Sequence, residues 1–143
     1  KGEGAFLEKE GYSQRLFASQ SDSISKGRFV LSHIDEKYSN ITKKISEISA
    51  VRMGSAALKI CKIAQGEYDA FFVIKSRMSE WDDCAPGLIL SEAGGILSDI
   101  FGNPLLYNQE NVSRDRGTLA SNKIIYKELL QKISPIVREE YAI

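Results

Sequence analysis

Three groups of residues in this chain are of types that can do chemistry. The longest is Glu80-Trp81-Asp82-Asp83-Cys84-Ala85-Pro86-Gly87-Leu88-Ile89-Leu90-Ser91-Glu92-Ala93-Gly94-Gly95. Asp82 and Asp83 stand where a helix would begin, so their carboxylates meet unpaired backbone N–H groups and the positive end of the helix dipole. Pro86 then has to lie in the first turn, where its missing N–H costs nothing. Ala85, Leu88 and Ile89 recur at i, i+3 and i+4 and give one apolar face. Gly94-Gly95 supplies the left-handed residue that ends the helix. Taken locally, the pattern is that of a well-capped amphipathic helix and nothing more.

The second stretch is Gly54-Ser55, between a strand pattern and a helix pattern. Backbone N–H groups at a helix start point outward, and glycine lets an anionic oxygen come close, although most such turns only redirect the chain. The third comprises cations and the one histidine. Lys75 and Arg77 precede Trp81 in a loop, suited to a phosphate and equally to plain solvated charge. His33 follows Ser32 after an apolar run, where a lone histidine serves as readily as a hydrogen-bonded structural residue.

The elements that must position these groups follow from periodicity. Residues 1–20, with Gly2, Gly4 and Gly11 among short β-type runs, predict one or two strands or a hairpin. Residues 19–26, with four serines, predict a linker or exposed loop. Strands are expected at 28–34, 50–53, 68–74, 96–99 and 117–121. Helices are expected at 39–49, from Gly54-Ser55 to Gly66 along Ala57, Ile60, Cys61 and Ala64, and across the acidic stretch. A last helix, capped by Asn122, carries Ile125, Leu129, Leu130 and Ile133, with Pro135 ending or kinking it. Residues 101–104 predict a turn and 107–117 a polar loop. Strands alternating with helices predict an α/β fold, a layered α/β/α sandwich around a mostly parallel or mixed sheet.

Size and composition set the bounds. At 143 residues the chain is one domain with room for a proper core. Apolar residues make up 43% and charged residues 27%, an ordinary globular balance. Lys+Arg and Asp+Glu both number 19, and a zero net charge argues against a nucleic-acid polymer or a membrane surface as partner. No apolar run nears the roughly 18 residues that span a bilayer, and no secretory leader is visible, so the expected compartment is the cytoplasm. Cys61 and Cys84 both lie in apolar helical patterns and are expected buried and reduced. Asn40-Ile41-Thr42 and Asn111-Val112-Ser113 match the glycosylation pattern by chance on this reading.

Trp81-Asp82-Asp83-Cys84-Ala85-Pro86-Gly87, followed by Glu92-Ala93-Gly94-Gly95, resembles the C-terminal signature of the inositol monophosphatase superfamily of Mg²⁺-dependent phosphatases. The resemblance implies that Asp82 is a ligand of a catalytic Mg²⁺. Val51-Arg52-Met53-Gly54-Ser55-Ala56-Ala57-Leu58-Lys59, with Gly66 and Asp69 downstream, is similar to the family's second C-terminal motif, which lines the substrate pocket. It implies substrate contacts for Gly54, Ser55 and Ala56. Leu58-Lys59 and Ser32-His33 are similar to the 3′(2′),5′-bisphosphate nucleotidase branch and imply substrate roles for Lys59, Ser32 and His33; Lys75 and Arg77 are candidates for a second phosphate from their loop position alone. Ala56-Ala57 departs from that branch, where two serines or serine and glycine are usual.

Gly2-Glu3-Gly4-Ala5-Phe6 is similar to a run at the end of the family's N-terminal half. The resemblance therefore divides the chain into residues 1–26, the end of that half with a linker, and residues 27–143, the C-terminal α/β domain. The family's remaining metal ligands, a Glu-Glu pair and an Asp-Pro-x-Asp-Gly-Thr motif, do not occur here. With Lys1 in place of an initiator methionine, the expectation is a C-terminal fragment, inactive alone, that associates with a missing N-terminal half or with itself as a homodimer. The implied activity is hydrolysis of a phosphorylated small molecule, 3′-phosphoadenosine 5′-phosphate. The alternatives are an inositol monophosphatase-type enzyme and a non-catalytic module that binds a phosphate ligand or a protein.

Overall fold

The computed structural model describes residues 1–33, 45, 48–74 and 77–141. A hairpin, β1 (Phe6–Lys9) and β2 (Tyr12–Arg15), precedes β3 (Phe29–Leu31), β4 (Ala50–Arg52), α1 (Ala56–Ala64) and β5 (Ala70–Val73). Then come α2 (Glu80–Glu92), β6 (Gly95–Ser98), β7 (Thr118–Asn122) and α3 (Tyr126–Tyr141). The helix expected at 39–49 lies largely outside the described residues. No helix among the described residues is long and apolar enough to cross a membrane.

β3 to β7 form one five-stranded sheet in the order β4-β3-β5-β7-β6. β3 runs parallel to β4 and β5, whereas β7 runs antiparallel to both β5 and β6. The sheet is therefore mixed. Side chains alternate across it, as strand geometry requires. Val30, Phe71, Val73 and Ala120 pack with Ile60, Ile63 and Leu90 of α1 and α2. Phe29, Leu31, Phe72 and Leu119 pack with Leu129, Ile133 and Val137 of α3. Each fully buried side chain of this size stabilises by about 1.5–3 kcal/mol, and the two clusters make the α/β/α layering.

α2 departs from its expected register. Ser79 is the N-cap and the helix starts at Glu80, so Asp82 is its third residue. Its Oδ2 accepts from the Ser79 backbone N–H at 2.8 Å, the carboxylate half of a capping box. Pro86 falls past the first turn, and the Asp82 carbonyl loses its intrahelical N–H partner. The buried face is Glu80, Asp83, Pro86, Gly87 and Leu90, while Ala85 and Leu88 are exposed and Ile89 is half-buried. Gly87 is required by packing: a Cβ there would stand 2.6 Å from Leu97 Cδ2 of β6. Gly94, at φ +87°, ends the helix as expected.

Other departures have local causes. Asn122 caps the approach to α3, its Oδ1 accepting from the N–H groups of Ile124 and Ile125, but α3 passes through Pro135 and continues to Tyr141. Residues 19–26 are not a loose connector. Ile24 is buried, the Ser19 hydroxyl donates to Asp69, and Asn122 Nδ2 reaches Ser19 Oγ and the Ser21 carbonyl. Both cysteines are free, Cys61 half-buried but Cys84 exposed, against the expectation of two buried thiols.

Candidate functional site

Because β3, β4 and β5 are parallel, their C-terminal ends open on one edge of the sheet. Ligands of α/β sheets bind in the crevice outside such ends. Ser32-His33 leave β3 there, Met53-Gly54-Ser55 leave β4, and the segment leading to Asp82 leaves β5. The β5–β7 register pairs Val73 with Thr118, which brings the start of β7 to the same edge.

Gly54 and Ser55 are exposed, and nothing lies within 4 Å of a Cβ built on Gly54. Ser55 has φ 57° and its Oγ accepts from Leu58 N–H at 3.2 Å, which caps α1. A non-glycine residue in the left-handed region stores strain, and the cap holds it there. Ala56 is half-buried and opens α1. Lys59 is turned inward, 1% exposed, its ammonium donating to the Met53 carbonyl at 3.2 Å and lying 4.7 Å from the centre of the Phe71 ring. It braces the Gly54-Ser55 turn from beneath.

Ser32 is half-buried and its carbonyl accepts from Arg52 Nη1 at 2.8 Å; His33 and Arg77 are exposed. Lys75 lies outside the described residues.

Of the five acidic side chains Asp69, Glu80, Asp82, Asp83 and Asp99, four are committed to several partners and one is left more open. Asp83 is fully buried, held by Arg114 through Nε at 2.7 Å and Nη2 at 2.8 Å. Glu80 accepts from the backbone N–H groups of Asn108 at 2.6 Å and Gln109 at 3.0 Å. Asp99 accepts from Phe101 and Asn103 N–H, Asn103 Nδ2 and Arg116 Nε. Asp69 accepts from Ser19 and Arg28. Burial alone would raise its pKa, but the hydrogen bonds from Arg28 and Ser19 outweigh that and hold it below the ordinary carboxylate value. Asp82 is only half-buried, and Ser79 N–H on Oδ2 is the hydrogen bond the described residues give it.

A hard cation such as Mg²⁺ takes about six oxygen ligands. Among the described residues no three His, Cys, Asp or Glu side chains converge on one point. The described side chains do not by themselves make up the ligand set of such a cation.

Two participants were not readable from spacing. Arg114 looks like one charge in a polar loop, yet it is 7% exposed and stacks 4.8 Å from the Tyr107 ring centre. Burial and the adjacent Asp83 carboxylate push the Tyr107 phenol well above its ordinary pKa. Thr118 Oγ1, at the sheet edge, is buried with no hydrogen-bond partner among the described residues.

Comparison with known proteins places this geometry in a context. A family model described as "Inositol monophosphatase family" matches residues 1–139. Inositol monophosphatase 1 of Mus musculus is 32% identical over 98% of this chain and 51% of its own. The 3′(2′),5′-bisphosphate nucleotidase 1 of Rattus norvegicus is 34% identical over 66% of this chain and 32% of its own. The chain thus spans about half the length of the former and a third of the latter. The solved structure of Mycobacterium tuberculosis SuhB shares the fold with TM-score 0.73 at 24% identity, over 92% of this chain and 51% of that one.

Proposed function

The chain belongs to the inositol monophosphatase family, and from that membership we propose that it supplies the substrate-facing edge and one metal ligand of an Mg²⁺-dependent phosphate monoesterase. The observation that carries the proposal is the separation of Asp82 from Asp83. Of the three acids that open α2, Glu80 and Asp83 are tied to the 106–114 loop, while Asp82 is left half-open at the edge that Gly54-Ser55 also borders.

Asp82 would hold one position in the cation's shell. The remaining oxygen ligands would come from the other half of a full-length family chain, from phosphate and from water. A cation held in this way neutralises charge on the phosphate oxygens and acidifies water. The protein's own part is to position. Backbone N–H groups of Gly54, Ser55 and Ala56 at the start of α1 offer donors to a phosphate or sugar oxygen. Lys59 keeps that turn in place through Met53. Ser32, His33, Lys75 and Arg77 would contact the rest of the substrate.

The favoured substrate is 3′-phosphoadenosine 5′-phosphate, supported by Leu58-Lys59 and by the nucleotidase-named relative. An inositol phosphate is the second candidate, supported by the match to inositol monophosphatase 1 along nearly the whole chain. The test is phosphate release from both compounds by a full-length protein bearing this segment, with Asp82→Asn beside the unaltered enzyme. Loss of Mg²⁺-dependent turnover with at most a small change in thermal stability is expected. Turnover that survives Asp82→Asn would remove the assignment.

A further inference from the structure

The turn that carries Asp82 is gripped from one side by the distant 106–114 segment. Ser79 forms an antiparallel bridge with Ser113. It is flanked by Arg114 N–H on the Met78 carbonyl and Glu80 N–H on the Val112 carbonyl, both at 3.0 Å. The Glu80 carboxylate takes the N–H groups of Asn108 and Gln109. The Arg114 side chain completes the clasp. Its Nε and Nη2 hold the two oxygens of Asp83, and its Nη1 donates to the Leu106 carbonyl at 2.8 Å.

This ion pair differs from those made by Asp69 and Asp99. Their partners, Arg28 and Arg116, have side chains 54% and 59% exposed, whereas those of Arg114 and Asp83 are 7% and 0% exposed. A buried ion pair adds little stability over an apolar pair of the same volume. What a two-pronged guanidinium–carboxylate contact does supply is a fixed direction. Here that direction is imposed on the first turn of α2. The path to Asp82 is short: Ser79 N–H holds Asp82 Oδ2 at 2.8 Å, and Ser79 is the residue bridged to Ser113.

We propose that Arg114 is a positioning residue. Through Asp83 and the Ser79–Ser113 bridge it fixes where Asp82 presents its carboxylate at the sheet edge. This role rests on the reading of Asp82 as a metal ligand, and adds that the 106–114 segment sets the ligand's place. Mg²⁺ tolerates little departure from octahedral geometry. A first turn released from its clasp therefore offers the cation a weaker site. The substrate-facing turn at Gly54-Ser55 opens α1 and lies outside the clasp.

Arg114→Lys keeps the charge but not the fork, and Glu80→Gln weakens the second grip. Arg28→Lys, at the opposite end of the sheet, is the control. The first measurement is amide hydrogen exchange of this chain without metal, read on peptides spanning residues 78–83. Both clasp variants are expected to speed exchange there several-fold while β5 and β7 stay protected, and Arg28→Lys to leave those peptides unchanged. The second is the Mg²⁺ concentration for half-maximal phosphate release, beside the substrate KM, in a full-length protein bearing this segment. Arg114→Lys is expected to raise that concentration roughly tenfold with KM little changed. Exchange at 78–83 that Arg114→Lys leaves unchanged, or that Arg28→Lys raises equally, would overturn the proposal. So would an unchanged Mg²⁺ requirement in a protein that Asp82→Asn inactivates. Mg²⁺-dependent turnover that survives Asp82→Asn would instead remove the ligand assignment, and exchange at 78–83 would still decide whether Arg114 holds the turn.

Discussion

Arg114 grips Asp83 through two hydrogen bonds of 2.7 and 2.8 Å, with both side chains shut away from water. One residue earlier, Asp82 meets only a backbone N–H among the described residues and stays half-open. Adjacent carboxylates on one helix turn therefore take opposite duties: Asp83 ties the 106–114 loop to α2, and Asp82 remains available. Removing one partner of a buried ion pair strands the other charge, which costs about 3–5 kcal/mol. Asp83→Asn and Arg114→Met are each expected to lower unfolding free energy by that order in urea titrations. A double substitution that replaces both charges should recover part of the loss.

Asp82→Asn should behave differently from its neighbour. Asparagine can still accept from Ser79 N–H, so the change is expected to cost no more than about 1 kcal/mol. The check is the same urea titration, run beside Asp83→Asn.

Asp69 makes the fold acid-sensitive. Its pKa is depressed in the folded chain, and its unfolded value is about 3.9. The folded state thus binds fewer protons there, and the contribution is fully present above the unfolded value. It is lost as the pH falls from about 4 through the depressed folded value. The urea midpoint should fall across that acid window, and the Asp69→Asn chain, weaker at neutral pH, should show a flatter profile.

Gly117 is a backbone requirement at the sheet edge. It has φ +68°, and a Cβ would stand 2.4 Å from the Val73 carbonyl oxygen and 2.7 Å from that of Ile74. Gly117→Ala is expected to destabilise by about 1–3 kcal/mol from conformation alone, with the steric clash adding to it. Thermal unfolding measures the loss.

Much of the fold was legible because the strand runs are short, apolar and β-branched or aromatic, and their order with the helices points to a layered α/β domain. Asn122 and Gly94 were readable as helix punctuation because capping is a local matter. The buried face of α2 was not, since periodicity favoured Ala85, Leu88 and Ile89. Glu80 and Asp83 turn inward only because Asn108, Gln109 and Arg114, distant in sequence, satisfy them. The same blindness applied to Lys59, whose ammonium is buried on Met53 and Phe71. For the candidate site, spacing identified Gly54-Ser55 as a strand-to-helix turn, and its substrate role came from resemblance. The singling out of Asp82 came from resemblance, and its half-open setting from the structure.

The most direct measurement is phosphate release from 3′-phosphoadenosine 5′-phosphate by this purified chain, in Mg²⁺ and in EDTA. A chain in which no three His, Cys, Asp or Glu side chains converge among the described residues should release phosphate at the same background rate in both. Mg²⁺-dependent turnover that disappears in Asp82→Asn would contradict this, because it would require a complete metal site within these 143 residues.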